Sequence, residues 1–127
     1  MSIPDGFQPV LRYTVKNCAL VRWNKLNDDL LAKRNCVYVR VVRGKVVYVG
    51  KSKGRLIARL KRHLAIVSSP KTQDQKRYRD YIEGKSCTIF AMVAPMRRVA
   101  NMRFNVCHSL EEYLITTLEP KFNRRLG

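Results

Sequence analysis

The chain has 127 residues, with 26 lysines and arginines against 9 aspartates and glutamates, a formal net charge of +17 and a pI near 10.4. That length fits a single domain, and a hydrophobic content of 46% is enough for a packed core, so wholesale disorder is a poor reading. The basic excess favours a polyanionic partner, nucleic acid first; no run nears ~18 apolar residues and no signal-peptide core follows Met1, which argues against membrane or secretion and for a cytoplasmic setting.

Residues 1–34 lack strong periodicity and read as an N-terminal extension packed on or beside the core. Within them, 24–33 suits a short helix with Leu26, Leu30 and Leu31 on one side, while Trp23 either packs in the core or stacks on a base. At Cys36 the pattern changes to CVYVRVV, then RG, then KVVYVG, two valine-rich runs about a glycine that read as a β-hairpin. After Gly54, RLIARLKRHLAIV carries Leu56, Leu60, Leu64 and Val67 at helical spacing, and Ser68-Ser69-Pro70 ends it. A second helix runs over about 73–83, burying Tyr78, Tyr81 and Ile82, with Gly84 as its stop. CTIFAMVA (87–94) is a third strand, followed by a basic loop with Arg97, Arg98 and Arg103. Ser109 then caps a last helix that Pro120 closes. The order β-β-α-α-β-α over 35–127 predicts an α+β domain with a small three-stranded, mainly antiparallel sheet flanked by helices.

Cys18, Cys36, Cys87 and Cys107 are widely spread, with no C-x-x-C pair, and only His63 and His108 could join them on a metal. Structural zinc wants closely spaced ligand pairs, so reduced thiols are the better reading.

The register of the hairpin decides which side chains share a face. A two-residue turn at Arg43-Gly44 would set Val39 opposite Tyr48 and mix tyrosine with valine on both faces. A three-residue loop, Val42-Arg43-Gly44, with the glycine left-handed in a bulge, pairs Tyr38 with Tyr48 instead. It gathers Val37, Val39, Val41, Val47 and Val49 on one face and Tyr38, Arg40, Tyr48 and Gly50 on the other, and is therefore the register expected. On the following helix, Arg59 and His63 stand four apart at the edge of the apolar stripe, leaning toward the sheet.

Taken together, Val37-Tyr38, Tyr48-Val49-Gly50-Lys51-Ser52, Arg59, His63, Glu111, Leu114-Ile115, Pro120, Phe122 and Asn123 resemble, in order and spacing, the signature of the GIY-YIG nucleases. The resemblance covers roughly residues 36–125. The first triplet, Cys36-Val37-Tyr38, lacks the motif's glycine but keeps its tyrosine. Of the adjacent Glu111 and Glu112, the spacing to Leu114-Ile115 and Pro120 selects Glu111. Because the family module fills the chain, the arrangement is similar to the stand-alone phage endonuclease II type, which would place it in a host cytoplasm.

The resemblance implies phosphodiester hydrolysis by in-line attack of water on double-stranded DNA. Tyr38 would act as general base; a free tyrosine titrates near ~10, so positive charge at the site has to favour its phenolate. Tyr48 would orient water or phosphate, and Arg59 would hold the scissile phosphate with its planar fork. Glu111 would be the carboxylate on one Mg²⁺, or Mn²⁺ in its place, since Mg²⁺ keeps most of its waters. His63 stays open between base, phosphate contact and structural support, and Lys51 between phosphate contact and assistance to Tyr38. Gly50 and Asn123 would brace the site. Lys51, Lys53, Arg55, Arg62, Arg97, Arg98 and Arg124 would contact backbone phosphates without reading sequence. Cutting both strands needs two active sites, which a homodimer or homotetramer would supply. Charge alone would equally suit a non-catalytic nucleic-acid binder, and the site a structure-specific repair or recombination nuclease. Against the binder stands the joint presence of Tyr38, Tyr48, Arg59 and Glu111.

Overall fold

A computed structural model of the chain describes residue 3 and residues 5–100 and 102–123, with the side chains of 96–99 and 103–105 outside that description. In chain order the elements are β1 (Gln8–Lys16), β2 (Ala19–Lys25), α1 (Asp28–Leu31), β3 (Arg34–Val42), β4 (Lys45–Arg55), α2 (Leu56–Ser68), α3 (Gln73–Tyr81), β5 (Ser86–Val93), β6 (Met96–Val99), β7 (Met102–Asn105) and α4 (Cys107–Leu118). The α+β class stands, but the main sheet has five antiparallel strands, in the order β2-β1-β5-β3-β4, and not three. The additional pair comes from residues 8–25. In β1, Leu11, Tyr13 and Val15 point into the core while Arg12 and Lys16 face water, a period of two. Asn17 and Cys18 turn the chain at positive φ (54° and 61°), and their amides donate to the Glu83 carboxylate, each at 2.7 Å. Trp23 on β2 is 41% exposed. Helix α1 is shorter than the 24–33 expected; Asn27 caps it by accepting from the Leu30 amide at 3.0 Å.

The β3–β4 hairpin corrects the expected register. Its turn is the two-residue one, with Arg43 and Gly44 both at positive φ (51° and 77°) and Val42 paired with Lys45. Tyr38 lies opposite Gly50 and Arg40 opposite Tyr48, so the tyrosines are diagonal and not directly paired. The faces are nevertheless sorted, because the pairing slips between Arg40 and Val41 and leaves Val47 as an extra residue. Val46 thereby joins Val37, Val39, Val41 and Val49, and Val47 moves to the side of Tyr38 and Tyr48.

Each face of the sheet has its own core. On the tyrosine face, α2 brings Leu56, Leu60, Leu64 and Val67, and α3 brings Tyr78, with Ile82 just beyond its end. The capping box of Thr72 and Gln75 starts α3. On the valine face, α4 packs Cys107 and Leu114. Helix α4 begins at Cys107, so Ser109 lies inside it and does not cap it. The basic loop expected around Arg97 and Arg98 is instead the two-stranded β6–β7 hairpin.

Past α4 the chain turns at Glu119, left-handed at φ 47°, and crosses the outer edge of β4 to the tyrosine face. There the Phe122 amide donates to the Val47 carbonyl at 3.0 Å, and the Phe122 ring packs edge-on against Tyr78 and Tyr81. Asn123 continues the pairing, its Oδ1 accepting from the Val49 amide at 2.6 Å and its Nδ2 donating to the Val49 carbonyl at 2.7 Å. A side-chain amide here stands in for a sixth strand. Asn123→Ala removes both partners of Val49, and about 1–3 kcal/mol of stability is expected to go with them in a urea titration. Unchanged stability would show that water serves the edge equally well.

Candidate active site

Tyr38 and Tyr48 lie over β4 with ring centroids 6.2 Å apart and planes at 29°. Gly50 makes this possible. A Cβ at that position would stand 2.5 Å from Cζ and Oη of Tyr38 and 2.9 Å from Cε1 of Tyr48, closer than any real contact. Arg59, rising from the first turn of α2, donates through Nε to the Tyr38 hydroxyl at 3.4 Å. Burial pushes the Tyr48 hydroxyl upward and the neighbouring Tyr38 adds to this, with Arg40 and Arg59 opposing. Tyr48 is therefore a protonated phenol at neutral pH, able to donate a hydrogen bond.

His63 leaves the sheet surface for the interior. It is 3% exposed, and its Nε2 lies 2.9 Å from the Tyr13 hydroxyl, which in turn lies 2.8 Å from that of Tyr78. Burial, then the charges of Arg40 and Arg59, hold the imidazole well below its ordinary range, so it is neutral at physiological pH. Of the three roles open to it from sequence, structural support has this visible bonding behind it.

Arg40 is the residue that sequence reasoning put on the tyrosine face without giving it a task. Only 4% exposed, its guanidinium carbon sits 4.1 Å from the Tyr48 ring centre, 5.6 Å from that of Tyr78 and 5.8 Å from that of Tyr38. The ring faces compensate part of its desolvation. Its Nε and Nη1 have no hydrogen-bond partner among the described residues, an omission that costs more than the ~1–3 kcal/mol of a neutral donor. An arginine inside a valine run was the available signal.

Glu111 belongs to the other face. β4 residues alternate, so Gly50 faces the tyrosines and Lys51, opposite Val37, faces α4. Glu111 Oε1 lies 3.6 Å from Lys51 Nζ, and His108 Nδ1 lies 2.7 Å from the same ammonium. Among the described residues no hydrogen bond or ion pair joins Glu111 to Tyr38, Tyr48 or Arg59; the link between the two halves is Lys51, which reaches Glu111 and also lines a cleft with Arg59. His108, Glu111 and Glu112 bring their ligand atoms within 4.8 Å of one another. The sequence signal for His108 was its position one turn before Glu111 on α4. A carboxylate that is 15% exposed fits a hydrated divalent ion with few protein ligands, although Lys51 competes for Oε1. The imidazole of His108 suits Mn²⁺ better than Mg²⁺.

Lys51, Lys53, Arg55, Arg59 and Arg62 line one cleft of about 270 Å³ beside Ser52 and Gly54. Five cations in one groove form an electrostatic seat for phosphate groups. Arg97 and Arg98 fall on β6, their side chains undescribed, and Arg124 lies outside the described residues. No helix among the described residues is long and apolar enough to cross a membrane.

Gly50→Ala should cost about 1–3 kcal/mol, read by urea unfolding, because the buried Tyr38 ring has to move; full stability would mean that the tyrosines are loosely held. His63 gives a pH signature. The unfolded chain takes up a proton near 6.5, whereas the folded chain resists until lower pH, so stability is complete above that range and falls on acidification. Between pH 6.5 and 5.5 the expected loss is about 1 kcal/mol, the slope steepening toward about 1.4 kcal/mol per unit below that. His63→Gln should flatten that slope, and equal slopes would place His63 in contact with water.

No protein-family model matches this chain, and no curated protein matches it either. Solved structures do. A mutant of bacteriophage T4 EndoII superposes with a TM-score of 0.64 at 17% identity, over 92% of this chain and 91% of that one. The restriction endonuclease HPY188I in complex with product DNA does so with a TM-score of 0.51 at 15% identity, over 97% of this chain and 82% of the other. T4 EndoII is a GIY-YIG endonuclease, and both neighbours are nucleases. At such identities the likeness is one of fold, and this chain has the fold of those two nucleases.

Proposed function

We propose that the protein is a DNA endonuclease of the GIY-YIG type, dependent on a divalent metal ion. The observation that carries this reading is the Tyr38–Tyr48 pair with Arg59 against the Tyr38 hydroxyl, beside a five-cation cleft, in the fold of T4 EndoII. HPY188I is bound to product DNA, which supports double-stranded DNA as substrate here. A homodimer or homotetramer would place two sites on the two strands.

In this reading Arg59 and the cleft cations seat the scissile phosphate and neutralise charge that grows on its oxygens. Tyr38 Oη, with Arg59 Nε against it, takes the proton of the attacking water. Tyr48, a protonated donor, fixes the water or a phosphate oxygen in line with the bond to be broken. Lys51 holds Glu111 until substrate phosphate draws the ammonium away. Glu111, with His108 beside it, would hold Mg²⁺ or Mn²⁺, which when bound stabilises the leaving oxygen.

The test is cleavage of supercoiled plasmid by the wild type, Glu111→Gln and Tyr38→Phe, with Mg²⁺ or EDTA. Nicking or linearisation by the wild type with Mg²⁺ is expected, abolished by EDTA and by Glu111→Gln. Tyr38→Phe should slow the chemical step by about 10²–10⁴-fold with DNA affinity retained. DNA retention with no cleavage by a folded wild type would instead make it a binding protein on a nuclease scaffold.

A further inference from the structure

Two guanidinium donors of Arg40 are buried without an acceptor, and the same side chain forms part of the wall of a second cavity. That cavity, of about 310 Å³, lies between Tyr48 and α2 and is lined also by Arg59, Arg62, His63 and Gln75. Three guanidinium groups face it, and no acidic side chain does. The imidazole of His63 adds no charge but keeps the wall polar. A site with this composition wants an anion whose oxygens can be shared among planar forks, which describes a phosphate group better than a carboxylate or a halide. Arg59 and Arg62 also line the first basic cleft, so the two depressions meet along these side chains.

We propose that the cavity under Tyr48 is a second phosphate subsite, with Arg40 as its floor, and that it takes the phosphate next to the scissile one on the same nucleic-acid strand. The identity of the strand rests on the endonuclease reading; the affinity for phosphate rests on Arg40 and its cavity alone. Occupation sets a negative charge against the buried Arg40 guanidinium, beneath the Tyr48 ring that this guanidinium already supports. Arg40 thereby links the presence of a neighbouring nucleotide to the placing of Tyr48. It is a positioning residue, which touches the substrate away from the reacting phosphorus.

The full-length protein, labelled with ¹⁵N in its arginine side chains, is titrated with inorganic phosphate at constant ionic strength made up with chloride. The Arg40 Nε–Hε resonance, assigned through Arg40→Lys, is expected to move and saturate. Arg62→Gln, a change at the cavity rim that leaves the core intact, should weaken that binding at least about fivefold. In EDTA, duplexes with a single uncharged methylphosphonate at successive positions should then show one position beside the cut that weakens wild-type binding about tenfold and Arg62→Gln binding far less. An Arg40 resonance unmoved by phosphate, or moved identically by chloride, overturns the subsite and means that water serves the buried donors. Equal sensitivity of wild type and Arg62→Gln at every methylphosphonate overturns the link to the strand. Plasmid cleavage separates the two readings: cutting with an unmoved Arg40 removes the subsite alone, and a saturable Arg40 shift without cutting removes the endonuclease alone.

Discussion

Where β3 and β4 pair, the ring of Tyr38 and a side chain at position 50 would claim the same space, and glycine resolves the conflict by having none. Because the Tyr38 ring can lie flat across β4, Tyr48 can stack beside it and Arg40 can slide under both. Arg59 then meets the Tyr38 hydroxyl from α2. Each of these contacts presumes the one before it. An aromatic ring covering a glycine on a neighbouring strand is also a stable unit of sheet structure, so local stability and site geometry come from one arrangement.

The tyrosine face is an unusual core, because it holds a permanent cation. Arg40 is surrounded by rings of Tyr38, Tyr48 and Tyr78, and the neutral His63 lies close behind through Tyr13 and Tyr78. Burial first, and then the repulsion from a positive charge kept from water, leaves His63 uncharged among so many tyrosines. The molecule holds positive potential in its interior, in the wall of a cavity that shares Arg59 and Arg62 with the cleft where its surface cations converge. Long-range attraction by +17 brings a polyanion near, and the interior charge acts only at contact.

Much of this was legible in the sequence, and the failures have physical causes. Alternation within 36–50 separated Val37, Val39, Val41 and Val49 from the tyrosines correctly but put Val47 on the wrong face, since a bulge after a tight turn and a bulge within the turn differ only in the residues next to the loop. Helical spacing placed Arg59 and His63 together, but spacing cannot say how deep a side chain sits, and His63 proved buried. The strands at 8–25 have weak local signals because β2 buries neither face, its Val21 and Trp23 lying exposed, and β1 finds its partner β5 more than seventy residues away. Asn123 was legible as a brace; that it braces by pairing with Val49 depends on the chain crossing the β4 edge, which no local pattern encodes.

That crossing has a bearing on how copies of the chain could meet. A sheet offers strangers its two outermost strands, and open backbone groups there invite pairing between molecules. At β4 the inviting groups of Val47 and Val49 are already engaged by Phe122 and Asn123, so the tail acts as a guard rail against lateral growth. The opposite border, β2, carries Arg22 and Lys25, whose like charges would confront their own copies. Continuous sheets built across copies of the chain are thus discouraged on both sides, which leaves helices and loops as the surfaces where two copies could meet.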